Sequence, residues 1–80
     1  MKSQNARSKD VGKLRAHWEK LKRDHATLDA QIKDEQNRPQ SNSQVISNLK
    51  RRKLQLKDEM AGIEARIAEL TRALERANAA

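Results

Sequence analysis

The sequence predicts an all-α fold, a two-helix antiparallel coiled-coil hairpin, on three observations. Val11, Leu14, Trp18, Leu21, His25, Leu28 and Ile32 recur at alternating gaps of three and four residues. Ile46, Leu49, Lys53, Leu56, Met60, Ile63, Ile67, Leu70 and Leu74 repeat the same rhythm. Between the two runs, Arg38-Pro39-Gln40-Ser41-Asn42-Ser43 supplies a proline and small polar residues. A three-four spacing holds one side of an α-helix toward a partner helix. A proline-bearing break between two such runs turns the second back onto the first.

Residues 1–9 are polar and read as a flexible tail. Helix one spans residues 10–37, with Ser8 or Asp10 able to cap its first turn. Pro39 disfavours helical geometry at Arg38, which ends the helix and opens a turn over residues 38–44. Ser41, with Gln44 three residues on and Val45-Ile46 following, fits a capping box. Helix two then covers residues 45–77, and residues 78–80 form a tail. Gly62 is its weak interior point, costing about 1 kcal/mol relative to alanine.

Eighty residues make one small domain, and two helices leave no room for a layered core. Self-association is the usual remedy, so a homo-oligomer is the expected state. The chain has no cysteine, which excludes disulfides and thiolate zinc sites. No apolar run approaches the roughly 20 residues needed to cross a bilayer. Met1-Lys2-Ser3-Gln4-Asn5 has no hydrophobic segment behind it, so no signal peptide is expected and a cytoplasmic location is.

The net charge is +7, and its distribution matters more than its size. Residues 1–23 carry +6, residues 24–37 carry −3, residues 38–57 carry +6 without an acid, and residues 58–80 carry −2. Folded antiparallel, each basic block lies against an acidic one. Pairing Ile32 with Ile46 sets a register in which Trp18 meets Met60, Leu14 meets Ile63 and Val11 meets Ile67. The flanking pairs become Asp29–Lys50, Arg15–Glu64, Asp24–Arg52, His17–Glu59 and Asp10–Arg66, with Lys22–Lys57 repelling. Exposed pairs contribute roughly 0–1 kcal/mol each, so they select register more than they stabilise. The same register sets His25 opposite Lys53. Polar seam positions of this kind commonly fix register and oligomeric state.

Lys50-Arg51-Arg52-Lys53-Leu54-Gln55-Leu56-Lys57-Asp58-Glu59-Met60 resembles the signature of the YdcH-like family of small bacterial proteins. His25-Ala26-Thr27-Leu28-Asp29-Ala30-Gln31-Ile32 resembles that family's upstream H-x-x-L-D-x-x-I segment, and Pro39 sits where the family often has a turn proline. The resemblance covers roughly residues 17–62. It implies an α-helical hairpin that self-associates in a bacterial cytoplasm, without enzyme activity or an agreed function.

Catalytic machinery is not expected. His17 and His25 share a helix face, but no nucleophile or phosphate-binding loop accompanies them. Asp24 and Glu59 do not complete a persuasive metal set, since transition-metal sites use three or four converging ligands. No cofactor is expected. The basic patch of Lys20, Lys22, Arg23, Arg51 and Lys57 can neutralise phosphates, which makes nucleic acid the competing partner class. Trp18, the one aromatic residue, sits in the seam and offers no base-stacking platform. A membrane-surface role is disfavoured because the apolar face of helix one already has helix two as its partner.

The sequence therefore describes a small cytoplasmic, non-enzymatic hairpin acting through protein–protein association. The alternative is a small basic nucleic-acid-associated protein. The expected oligomer contact is Leu70 and Leu74, which lie opposite Ser8 and Gln4 in this register, extended by Leu54 on a face shared with Ala61, Ala65 and Ala68.

Overall fold

The computed structural model describes the backbone of residues 2–79 and the side chains of residues 9–78. Two long helices, α1 (Lys2–Gln36) and α2 (Ser43–Ala79), pack side by side in a rod of 62 × 14 × 14 Å. Among the described residues there is no strand.

Helix α1 starts well before the expected Ser8 or Asp10, and most of the predicted tail is helical. No glycine or proline interrupts residues 2–10, so little opposes extending the helix along α2. Most of the predicted C-terminal tail is likewise part of α2. Met1 and Ala80, the outermost residues of the two predicted tails, lie outside the described residues.

The turn covers residues 37–42, slightly earlier than expected. Helix α1 closes with Asn37 N–H donating to the Lys33 carbonyl at 3.0 Å and Arg38 N–H to the Glu35 carbonyl at 3.3 Å. Asn42, and not Ser41, caps α2. Its Oδ1 accepts from Gln44 N–H at 2.9 Å and Val45 N–H at 3.2 Å, the two donors an N-cap side chain reaches. The expected capping box does not form, because with Asn42 as the cap the third helical residue is Val45, which has no acceptor, and the Gln44 amide donates to Asn48 Oδ1 at 3.1 Å.

Glu35 explains the choice of cap. One of its carboxylate oxygens accepts Asn42 N–H at 3.0 Å, and the other lies 3.1 Å from Arg38 Nη1. Only 8% of Glu35 is exposed. The end of α1 thus holds Asn42 just outside α2, with its side chain free to cap.

The core is a single line. Val11, Leu21, Ile32 and Leu56 are buried, Leu56 to 1% exposure. Leu14, Trp18, His25, Leu28, Ile46, Leu49, Lys53, Met60, Ile63 and Ile67 are half-buried along it. The side-chain register differs from the predicted one by about one helical turn. Trp18 reaches Glu64 rather than Met60, and Lys53 reaches Asp29 rather than His25. The cause is the lean of helical side chains toward their own N terminus. On α1 that lean points away from the turn, and on α2 toward it. Both displace contacts in the same direction.

Candidate association surface

The seam leaves a groove on each side of the rod. On one side Arg15, Trp18, Glu64, Ile67, Ala68 and Thr71 line a cavity of about 610 Å³. It continues toward the turn through His25, Lys53, Lys57, Met60 and Ala61, which share Glu64 with it. The groove ends at Ile32, Lys50 and Leu54. On the opposite side, smaller hollows lie at Leu14 and Leu70 and at Leu28 and Leu56.

Two polar arrangements fix the larger groove. The Trp18 indole Nε1 donates to Glu64 Oε1 at 2.9 Å, tying α1 to α2 far from the turn. The Lys22 ammonium lies 5.3 Å from the centre of the same indole ring, within cation–π range. Nearer the turn, Asp29 Oδ1 lies 2.5 Å from Lys53 Nζ and its Oδ2 lies 3.8 Å from His25 Nδ1. The hydrogen bond from Lys53 is the main cause holding the Asp29 carboxyl below its ordinary value, with the charges of Lys53, His25 and Lys33 adding to it and burial opposing. A carboxylate thus stands between His25 and Lys53, which the predicted register sets opposite each other.

The flanking ion pairs of the predicted register are replaced. Asp29 takes Lys53 in place of Lys50, and Arg66 pairs with Glu69 on its own helix at 3.2 Å in place of Asp10. Glu64 accepts from Trp18, and Arg15 lines the groove beside it. Asp24–Arg52 and His17–Glu59 are not among the ion pairs of the described residues. Among the same residues, no three histidine, aspartate or glutamate side chains gather as metal ligands.

The predicted surface residues fall into two groups. Leu54 is 59% exposed at the turn end of the larger groove. Leu70 and Leu74 are half-buried, and Leu70 shares a hollow with Leu14 and Asp10. Helix α1 runs far enough to lie beside this part of α2, so Leu70 is not a bare ridge. The side chains of Gln4 and Ser8, its expected neighbours, lie outside those described. Lys20, Lys22, Arg23, Arg51 and Lys57 are all exposed. They do not form one patch, since Lys20 and Lys22 stand about 200° apart around α1.

Glu35 and Asn42 are the structural residues that pattern reading missed. Glu35 follows Ile32 at the next seam gap of three, and that spacing was the available signal.

This arrangement defines an all-α helical-hairpin protein whose larger groove carries an exposed leucine. A family model described as "Protein of unknown function (DUF465)" matches residues 19–64, more than half of the chain. The chain belongs to this family, the YdcH-like small helical proteins. The matched span holds the turn, the His25–Asp29–Lys53 cluster and Leu54, and stops before Ala68 and the leucines that follow. Neither the curated proteins nor the solved structures give a match.

Proposed function

We propose that the chain is a non-enzymatic association module of the cytoplasm, pairing with copies of itself and, once assembled, with another protein. The carrying observation is Leu54, 59% exposed at the end of a groove floored by Met60, Ala61, Ile67 and Ala68. Among the described residues each helix packs on the other alone, which leaves the apolar surface on this side open to another chain. Its exposure to water costs about 25 cal/mol per Å². No helix among the described residues is long and apolar enough to cross a membrane. Sedimentation equilibrium tests it: the mass should rise with concentration to a dimer or a larger bundle. A monomer at every concentration rejects self-association, and crosslinking followed by capture then addresses a foreign protein partner.

A second reading is association with nucleic acid. It is favoured by one specific finding: the acidic partners expected for Lys50 and Arg52 are engaged elsewhere or unpaired with them. These two residues therefore join Arg51 and Lys57 as exposed cations on α2. A gel shift that weakens steeply with salt supports this reading, and no shift at low salt rejects it.

A further inference from the structure

Resting on the self-association proposed above, we infer that two copies pair antiparallel through the larger groove, about a two-fold axis at Ala61. Leu54 of each copy then sits against the partner's Ala68, between the partner's Ile67 and the partner's Trp18.

A knob and its hole lie on the same face of one chain. The knob is Leu54, the most exposed large apolar side chain described. The hole is the cavity of about 610 Å³ at Trp18, Ile67, Ala68 and Thr71. A cavity of about 150 Å³ already holds a benzene ring, so a leucine side chain has room here. Within one chain the two cannot meet, because fourteen residues of straight helix separate Leu54 from Ala68 by about 21 Å. A second copy can bring them together. Ala61 lies midway, and a two-fold axis there exchanges position 54 with position 68, so both knobs fill both holes in one closed contact.

Charge selects the direction. Along α2, residues 44–57 carry Lys50, Arg51, Arg52, Lys53 and Lys57 with no acid. Residues 58–78 carry Asp58, Glu59, Glu64, Glu69 and Glu75 against Arg66, Arg72 and Arg76. The helix is therefore +5 toward the turn and −2 beyond it. Parallel pairing stacks the basic halves on each other. Antiparallel pairing lays each basic half over an acidic one and brings Lys57 beside the partner's Glu64. Lys50 near the partner's Arg72 is a like-charged approach, at the margin of the contact. A second copy also brings its own Leu54 and its own hole at Ala68 at the matching spacing.

The absence of cysteine makes the test direct. A disulfide needs Cα atoms within about 7 Å, so single cysteines report who faces whom. Ala61→Cys, lying on the axis, should join to its own copy under mild oxidation severalfold faster than Gln55→Cys on the far side of α2. Leu54→Cys alone should not join, but mixed with Ala68→Cys it should give the crossed product. Leu54→Glu should raise the dissociation constant at least about tenfold with unchanged helical circular dichroism, since Leu54 contributes little to the hairpin itself. Leu54→Cys joining to itself as fast as Ala61→Cys shows parallel pairing and overturns the inference. An oligomeric wild type whose mass is unchanged in Leu54→Glu also overturns it, while leaving self-association standing. A wild type that is monomeric throughout overturns both and leaves the groove to a foreign helix.

Discussion

Trp18 and Glu64 join the two helices by a single hydrogen bond, indole Nε1 to carboxylate at 2.9 Å, across 46 positions of sequence. It lies at the end of the groove far from the turn, where nothing covalent holds the helices together. Trp18→Phe keeps a ring and deletes the donor, and should cost about 1 kcal/mol. Trp18→Ala should cost about 3 kcal/mol, because it also empties half-buried space. Urea unfolding followed by circular dichroism measures both. A double-mutant cycle with Glu64→Leu should give a coupling of about 1 kcal/mol, and a coupling of zero rejects the bond. In the wild type, tryptophan emission should move to the red on unfolding.

The turn makes a second prediction. Glu35→Ala removes the acceptor of Asn42 N–H and the partner of Arg38, and should cost about 1–3 kcal/mol. Asn42→Ala should cost about 1 kcal/mol through loss of the α2 cap. Because Glu35 positions Asn42, the double variant should lose less than the two single costs combined. Strict additivity in urea midpoints means the two act separately. Ser41→Ala should leave stability unchanged.

Acidification tests Asp29. Its folded carboxyl titrates below the ordinary 3.8, chiefly because Lys53 donates to it. A depressed carboxylate stabilises the fold above the unfolded value, and that contribution disappears as pH falls through 3.8 toward the lower folded value. Melting temperature should therefore drop over this interval, and Asp29→Asn should flatten the drop. Added salt should shrink the difference between the two proteins, since the carboxylate is partly open to solvent. Lys53→Leu, which the seam pattern alone favours, strands Asp29 without its ammonium. Its melting temperature should rise less than that of Gly62→Ala.

Gly62 lies inside α2 with nothing within 4 Å of where a Cβ would stand. Gly62→Ala should therefore stabilise by about 1 kcal/mol, raising the melting temperature by roughly 4–8 °C. Gly12, equally open in α1, should behave alike. A fall in melting temperature on either change means that another chain lies close to the glycine.

Periodicity carried the fold. Three-four spacing of Val11 through Ile32 and of Ile46 through Leu74 marks two helices and their facing sides, and Pro39 marks the break. It could not carry register, because sequence positions label backbone while contacts are made by side-chain tips. Leaning side chains moved the Trp18 and Lys53 contacts by about one turn. That shift gave Asp29 Lys53, and not Lys50, as its partner and put it between Lys53 and His25. The expected bareness of Leu70 fails for the same reason. It set Leu70 opposite the polar Ser8, whereas Leu70 shares its hollow with Leu14 and Asp10, further along helix one. Leu54 was legible as an off-seam leucine, and the hole at Ala68 was not. A hole is the absence of side-chain volume on two helices at once, and no single run of sequence displays that.

A rod 14 Å across has no place more than one side chain from water. Amide protons in such a molecule are guarded by the time the helices stay together, and not by depth. Separation is easiest at the open end, because the turn is tied by Glu35 and Asn42. Deuterium should therefore enter first near Asp10 and Leu70 and last around Leu28 and Leu56, the clock slowing toward the turn. Residues facing each other across the seam, though dozens of positions apart in the chain, should keep the same time.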